Sequence, residues 1–275
     1  MKLFNTENTC VILTGGSRGY GAAIIREITK QFQRDFEDDG QSKKCCLVII
    51  TKNKLSEEIM EIPKTVSGIQ ILKIYCDLSE PDSIRTVVKP AFENLSKLEF
   101  NECFLFHNSG TLGNINNLCK DMSLEENEDY YLSNYYELNL FSVMKLTALV
   151  IQTFQNNWPD FCLKIINVSS LAAKVNFRGC KDYCTSKAAR ETYFCQLNLE
   201  LSEKYPAREK KYRILNWAPG PLSTDMFFEL KNDSLISRKF EAIEPLEPEV
   251  SARKLLFLLM EDTYQNADHV DFYDL

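Results

Sequence analysis

Tyr183 and Lys187 stand four residues apart, and Ser170 lies thirteen residues before the tyrosine. On a helix, side chains four apart share a face, so this spacing sets a phenol beside an ammonium. The chemistry such a pair suits is protonation of an oxyanion. Addition of hydride to a ketone leaves an alkoxide, and a phenol can supply its proton. The ordinary phenol pKa is about 10, and a neighbouring ammonium is expected to draw it toward neutrality. Ser170 would hydrogen-bond the substrate oxygen and stabilise the charge developing there. Each residue is ordinary alone. Their order behind a nucleotide-type loop is what gives the trio weight.

That loop is Thr14-Gly15-Gly16-Ser17-Arg18-Gly19-Tyr20-Gly21, with glycines spaced as GxxxGxG. Between a strand and a helix, such glycines let the backbone turn sharply and approach a pyrophosphate seated on the helix N-terminus. Gly15, Gly16, Ser17, Arg18, Gly19, Tyr20 and Gly21 are therefore candidate cofactor contacts. NAD-specific sites usually carry an acid after the second strand, to bind the ribose 2′-hydroxyl. Here that place reads Thr51-Lys52-Asn53-Lys54. Arg18 and Lys52, with Asn53 between Lys52 and Lys54, suit a 2′-phosphate and favour NADPH/NADP+. Asp77 and Leu78, after the third strand, are placed to contact adenine.

The elements that must position these residues can be read from hydrophobic pattern. Short apolar or β-branched runs alternate with longer helical stretches. Strands are expected at Cys10–Thr14, Cys46–Thr51, Ile71–Cys76, Cys103–His107, Leu163–Val168 and Tyr212–Trp217, with a last one within His269–Tyr273. Helices are expected at Tyr20–Arg34, Pro81–Leu98, Glu126–Phe154, Asp182–Lys204 and Glu249–Glu261. Asp35–Lys44 reads as a polar, charged surface loop, and Ser223–Phe240 as a longer insertion. Nearly all-apolar strands that alternate with helices imply an α/β fold: a Rossmann-like, doubly wound parallel sheet flanked by helices. No repeat or linker divides the chain, so residues 1–275 are read as a single dinucleotide-binding domain.

The 275 residues carry 44% hydrophobic and 26% charged side chains, enough for a core without disulfides or metal. A net charge of −7 argues against nucleic acid or an anionic membrane as partner. The ten cysteines include no CxxC and no zinc-type spacing, so free thiols and no metal are expected. Met1–Thr9 lacks the apolar core of a signal peptide. The apolar run Leu138–Ile151 is interrupted by Lys145 and falls short of a bilayer span. A cytoplasmic location is the expectation.

The glycine loop, the Ser-Tyr-Lys trio and Asn216-Trp217-Ala218-Pro219-Gly220-Pro221 together resemble the short-chain dehydrogenase/reductase family along the whole chain. The resemblance implies that Asn139 links Lys187 to a water-borne proton relay. It also implies that Lys187 holds the nicotinamide ribose. The family usually reads Asn-Asn-Ala-Gly where this chain has His107-Asn108-Ser109-Gly110. The departures leave Asn108 and Gly110 to wall the nicotinamide side. By the same likeness Leu222, Ser223, Thr224, Asp225, Met226 and Phe227 contact cofactor. Leu171 and Gly220 join Ser170 and Tyr183 around the substrate.

Within the family, Tyr183–Arg190, Ala218–Met226 and the terminal His269-Val270-Asp271-Phe272-Tyr273-Asp274 are most similar to members that reduce pterins. This implies reduction of pterin side-chain carbonyls, as in sepiapterin and 6-pyruvoyl-tetrahydropterin, in tetrahydrobiopterin synthesis. A loop of about 222–248 would cover the substrate, and segment 268–275 would anchor it through Asp271. One carboxylate can accept both N–H donors of a 2-amino-4-oxo edge. The likeness further implies a homodimer packed through Glu126–Phe154 and Asp182–Lys204. Two other readings stand beside this one. One is a broader carbonyl or steroid reductase of the same family. The other is a non-catalytic NADPH-binding regulator, which would be expected to lose Tyr183 or Lys187.

Overall fold

The computed structural model describes residues 2–39, 43–155, 161–205, 211–233 and 235–275. Seven strands form one parallel sheet: β1 (Asn8–Thr14), β2 (Lys44–Thr51), β3 (Ile69–Tyr75), β4 (Glu102–His107), β5 (Cys162–Val168), β6 (Tyr212–Ala218) and β7 (His269–Asp271). Their order is β3-β2-β1-β4-β5-β6-β7. The chain winds outward from β1 in one direction, then restarts at β4 in the other. A crevice therefore opens at the carboxyl ends of β1 and β4, where such sheets hold ligands.

Both sheet faces are covered, which explains the unbroken apolar runs. In β1, Val11 and Leu13 face one core layer, while Cys10 and Ile12 face the other. The first layer lies under α1 (Gly19–Asp39), α2 (Glu57–Thr65) and α9 (Pro248–Glu261), with Ile24, Ile28, Ile59, Leu255 and Leu259 buried. The second lies under α3 (Lys89–Leu95), α5 (Ser142–Gln155) and α6 (Lys181–Lys204), around Phe92, Phe154 and Phe194. A third, smaller cluster of Leu112, Ile115, Cys180, Cys184 and Ile236 sits under the substrate-side loop. All ten cysteines are free thiols.

Six expectations are corrected or refined. Asp35–Lys44 is not simply a surface loop: α1 continues to Asp39, and residues 40–42 lie outside the described residues. Asp35 is buried because its Oδ2 accepts the backbone N–H groups of Leu3 and Phe4, each at 3.0 Å. Helix α2 was not anticipated; Ser56 caps it and Pro63 lies inside it. Pro81–Leu98 is helical only from Ile84, as a π turn (Ile84–Val88) that runs into α3. Glu126–Phe154 is one helical run broken by a π turn (Glu137–Phe141) between α4 (Glu126–Tyr136) and α5. The last strand stops at Asp271 and becomes a 3₁₀ turn, Phe272–Asp274. The insertion after β6 folds as α7 (Asp225–Asp233) and α8 (Ser237–Phe240).

Asp35→Ala would leave two buried backbone donors without their acceptor. The expected cost is about 1–3 kcal/mol per orphaned donor at most, read as a lowered urea midpoint with an unchanged m-value. An unchanged midpoint would show that the N-terminal segment is not held this way.

Candidate active site

The crevice at the carboxyl ends of β1 and β4 opens into a cavity of about 900 Å³. It runs from the glycine loop, past Ser170 and Tyr183, to the C-terminal segment. Two glycines of the loop hold backbone angles that other residues rarely adopt, with φ of +74° at Gly15 and +55° at Gly19. A Cβ on Gly21 would lie 2.1 Å from the Gly15 carbonyl oxygen. Gly16 is closed against Ile25 and Ile49 and serves helix–sheet packing. Thr14 and Asn108 brace the loop from behind. Asn108 Nδ2 donates to the carbonyls of Thr14 at 3.1 Å and Gly15 at 3.0 Å. Thr14 Oγ1 accepts the N–H groups of Asn108 and Ser109, both at 3.0 Å. The result is a cradle of backbone at the N-terminus of α1, of the kind that receives a pyrophosphate.

Most predicted cofactor contacts line this cavity: Gly15, Ser17, Arg18, Gly19, Tyr20, Lys52, Asn53, Asp77, Leu78, Asn108, Lys187, Leu222, Thr224, Asp225, Met226 and Phe227. Gly16, Gly21 and Ser223 are not among its lining residues. Tyr20 has a second role, since its hydroxyl accepts from Trp217 Nε1 at 2.8 Å and from Ser251 Oγ at 3.2 Å. The two cations expected to meet a 2′-phosphate are paired. Lys52 Nζ lies 2.5 Å from Asp77, and Arg18 Nη1 lies 2.5 Å from Asp225. The Arg18–Asp225 pair is exposed, and Lys52 is exposed beside a half-buried Asp77; such pairs contribute little in water, so an incoming phosphate dianion could compete for either cation.

The Ser-Tyr-Lys trio converges as its spacing implied. Lys187 Nζ lies 5.5 Å from the Tyr183 ring centre and donates to the Val168 carbonyl at 2.7 Å. Ser170 caps the 3₁₀ turn Leu171–Ala173 and hydrogen-bonds Tyr183. The electrostatics differ from the expectation. Burial pushes the Tyr183 phenol up, outweighing the Ser170 hydrogen bond and the Arg190 cation that lower it. Burial, then the Arg190 charge, drives the Lys187 ammonium well below the usual lysine range.

Asn139 is fully buried in the π turn. Its Oδ1 accepts Thr111 N–H at 3.0 Å and its Nδ2 donates to the Tyr135 carbonyl at 3.1 Å. The side chain thus braces the turn behind the cavity and makes no hydrogen bond to Lys187. His107, the departure in β4, is buried and neutral: burial, then Arg190, holds its pKa well down, and its Nε2 pairs with Thr147 Oγ1 at 2.8 Å. The departures leave Asn108 and Gly110 on the cavity wall.

At the far end, Gly220, Leu171 and Asp271 also line the cavity. Asp271 Oδ1 accepts the Tyr273 N–H at 3.0 Å, which fixes the carboxylate's direction. The loop above is pinched at its base, where Ser223 N–H meets Leu246 O and Leu246 N–H meets Pro221 O, each at 2.8 Å. Three residues were missed from sequence. Arg190 is fully buried and donates to Asn167 Oδ1, His107 O and Ser109 O. Glu191 and His269 pair through Oε1 and Nδ1 at 2.7 Å. Helical spacing could have found two of them, since Arg190 and Glu191 follow Lys187 by three and four residues.

Comparison with known proteins agrees with this architecture. The family model described as short chain dehydrogenase matches residues 9–234. The chain is 32% identical to sepiapterin reductase of Meriones unguiculatus over 271 residues, covering 96% of this chain and 95% of that protein. It is 30% identical to sepiapterin reductase of Xenopus tropicalis, with the same coverage. Benzil reductase ((S)-benzoin forming) of Bacillus cereus is 24% identical, over 94% of this chain and 96% of that one. Among solved structures, a 3-ketoacyl-ACP reductase from Sinorhizobium meliloti 1021 shares the fold at TM-score 0.69 and 16% identity, covering 96% of each chain.

Gly21→Ala would force a methyl group into the Gly15 carbonyl. Overpacking of this kind costs about 1–3 kcal/mol, so affinity for a reduced nicotinamide dinucleotide should fall by about tenfold or more. Fluorescence titration checks it, and unchanged affinity would remove Gly21 from the cradle.

Proposed function

The chain belongs to the short-chain dehydrogenase family and is an oxidoreductase; on that footing we propose that it reduces the side-chain carbonyls of pterins with NADPH. The observation that carries this reading is one cavity holding the Ser170–Tyr183–Lys187 trio and, at its far end, the oriented Asp271 carboxylate. The likeness to sepiapterin reductases over nearly the whole chain supports it.

The residues present fit a dinucleotide. The backbone cradle of Gly15 to Gly21 would take the pyrophosphate. Arg18 and Lys52 would meet the 2′-phosphate, with Asp77 and Leu78 beside adenine and Asn108 and Lys187 near the nicotinamide riboside. Residues Leu222 to Phe227 would close over it. When bound, the dihydronicotinamide supplies hydride. Tyr183 then donates its proton to the carbonyl oxygen, which Ser170 holds by hydrogen bond. Lys187 orients Tyr183 and the ribose. A relay through Asn139 would run along the main chain of the π turn, because its amide is engaged with Thr111 and Tyr135. Leu171 and Gly220 would flank the substrate, and Asp271 would accept the two N–H donors of the pterin edge. The loop of about 222–248 would cover it.

Two further parts of the reading are assembly and location. Phe141, Met144 and Leu199 are exposed on the helices expected to pair, which supports a homodimer; sedimentation equilibrium tests it. No helix among the described residues is long and apolar enough to cross a membrane; the cytoplasmic location is part of the proposal, and imaging of a fluorescent fusion checks it.

The deciding assay follows sepiapterin absorbance with NADPH and with NADH. NADPH should be favoured, and Asp271→Asn should lower sepiapterin efficiency about tenfold or more, from about 1–3 kcal/mol of unpaired donors. The ratio to a diketone that lacks a pterin ring should fall with it. Turnover of benzil but not sepiapterin would favour the broader carbonyl reductase. Absence of any turnover would favour a binding protein.

The raised Tyr183 pKa gives a pH sign. Reduction needs the protonated phenol, and burial retains that proton into alkaline solution. The alkaline limb of kcat/KM should therefore lie above the ordinary tyrosine value of about 10. A limb near neutrality would mean that the working phenol is held low.

A further inference from the structure

Glu191 gathers three elements onto one carboxylate. Its Oε1 accepts Ser169 Oγ, next to Ser170 at the end of β5, and also pairs with His269 Nδ1 at 2.7 Å. Its Oε2 pairs with Lys174 Nζ at 2.9 Å, on the turn that follows Ser170. Glu191 itself lies on α6, two turns beyond Tyr183. The carboxylate is 5% exposed, so the contacts are not an incidental surface pairing. His269 opens β7, two residues before Asp271, and its ring lines the cavity. β7 is only three residues long and pairs with β6 alone, through Asn216–His269, Trp217–Val270 and Ala218–Asp271. An edge strand this short has few ladder bonds of its own. Lys254 Nζ holds the segment beyond it to α9, through the carbonyls of Phe272 at 2.7 Å and Leu275 at 2.6 Å, and the Glu191–His269 bond is the side-chain tie that faces the reaction centre.

We propose that Glu191 and His269 are positioning residues that fix the distance between the Asp271 anchor and the Ser170–Tyr183 pair, and so set which anchor-to-carbonyl spacing the enzyme accepts. The inference rests on the proposed anchoring of substrate by Asp271. It adds that two ends of one substrate are held in register by a part-buried pair that need not touch the reacting atoms. A buried carboxylate that receives three donors is a stiff joint, because loss of any partner leaves charge or a donor unsatisfied. If the joint loosens, the ring still binds but the carbonyl drifts from the proton donor. Loss of that alignment lowers turnover more than binding.

The test is steady-state kinetics of His269→Ala, His269→Asn and Glu191→Gln with NADPH, on sepiapterin and on a diketone without a pterin ring. Thermal melts establish that each variant is folded. His269→Ala should lower kcat for sepiapterin about tenfold or more, since small misplacement is costly to rate, with KM little moved. The ratio of sepiapterin to diketone efficiency should fall accordingly. His269→Asn keeps a donor near the Nδ1 position and should restore most of the rate. Glu191→Gln keeps the shape and should fall between wild type and His269→Ala. A parallel fall of both substrates would mean that the pair only supports the fold, and overturns the proposal. A rise in KM with kcat intact would make His269 part of the anchor instead, and also overturns it. No change on either substrate would overturn it as well. Failure of the wild-type enzyme to reduce sepiapterin is a separate result: it removes the pterin reading, and this inference with it.

Discussion

Arg190 is a guanidinium with no access to water, and the arrangement of the site follows from how it is satisfied. Its Nε donates to Asn167 Oδ1 at 2.8 Å and its Nη2 to the His107 carbonyl at 2.7 Å. These acceptors belong to the ends of β5 and β4, while Arg190 belongs to α6. A buried charge left without such partners is costly, so the helix cannot slide without stranding it. That constraint holds Asn108, Ser170, Tyr183 and Lys187 in one frame, although they come from three separate elements. Burial lowers the guanidinium only to about 10. It stays cationic at neutral pH, and its charge acts on both Tyr183 and Lys187.

Two cations so close together would repel if both were fully charged. Burial, then the Arg190 charge, pushes the Lys187 ammonium well down, while Glu191 acts in the opposite sense. Glu191 is held below the usual carboxylate range: burial raises it, but hydrogen bonds from His269, Ser169 and Lys174 outweigh that. The chemistry of the tyrosine is therefore set by a short line of charges along α6, rather than by its lysine neighbour alone. The simple picture of an ammonium beside a phenol omits desolvation, which is the largest influence on both groups.

The parts of the fold that were legible in sequence are those whose cause is local. A strand covered on both faces needs an unbroken apolar run, and Cys10–Leu13 in β1 and Leu47–Ile50 in β2 carry one. The glycine loop and the i, i+4 spacing of Tyr183 and Lys187 are likewise written in adjacent residues. What escaped depends on distant partners. Asp35 belongs to a helix because Leu3 and Phe4 present donors to it across 31 or 32 residues. The α2 helix hides behind Pro63, a residue that ordinarily argues against one. The π turn at Asn139 leaves no mark in hydrophobic period, and the Glu191–His269 pair joins residues 78 apart.

This separation between local and distant causes also divides the site by task. The phosphate cradle is built from backbone, fixed by glycine conformation and by Asn108, and it demands little of neighbouring side chains. The proton donor depends on buried charge, so its surroundings tolerate few substitutions. The far end of the cavity rests on a three-residue strand, a pinched loop and one carboxylate. Changes there leave the cradle untouched and reach the charge line only through His269 and Glu191. Under the proposed reading, substrate choice is lodged where the fold is least constrained, and the chemistry where it is most. The Glu191–His269 pair is a polar tie between the two, because it joins the short edge strand directly to the helix that carries the proton donor.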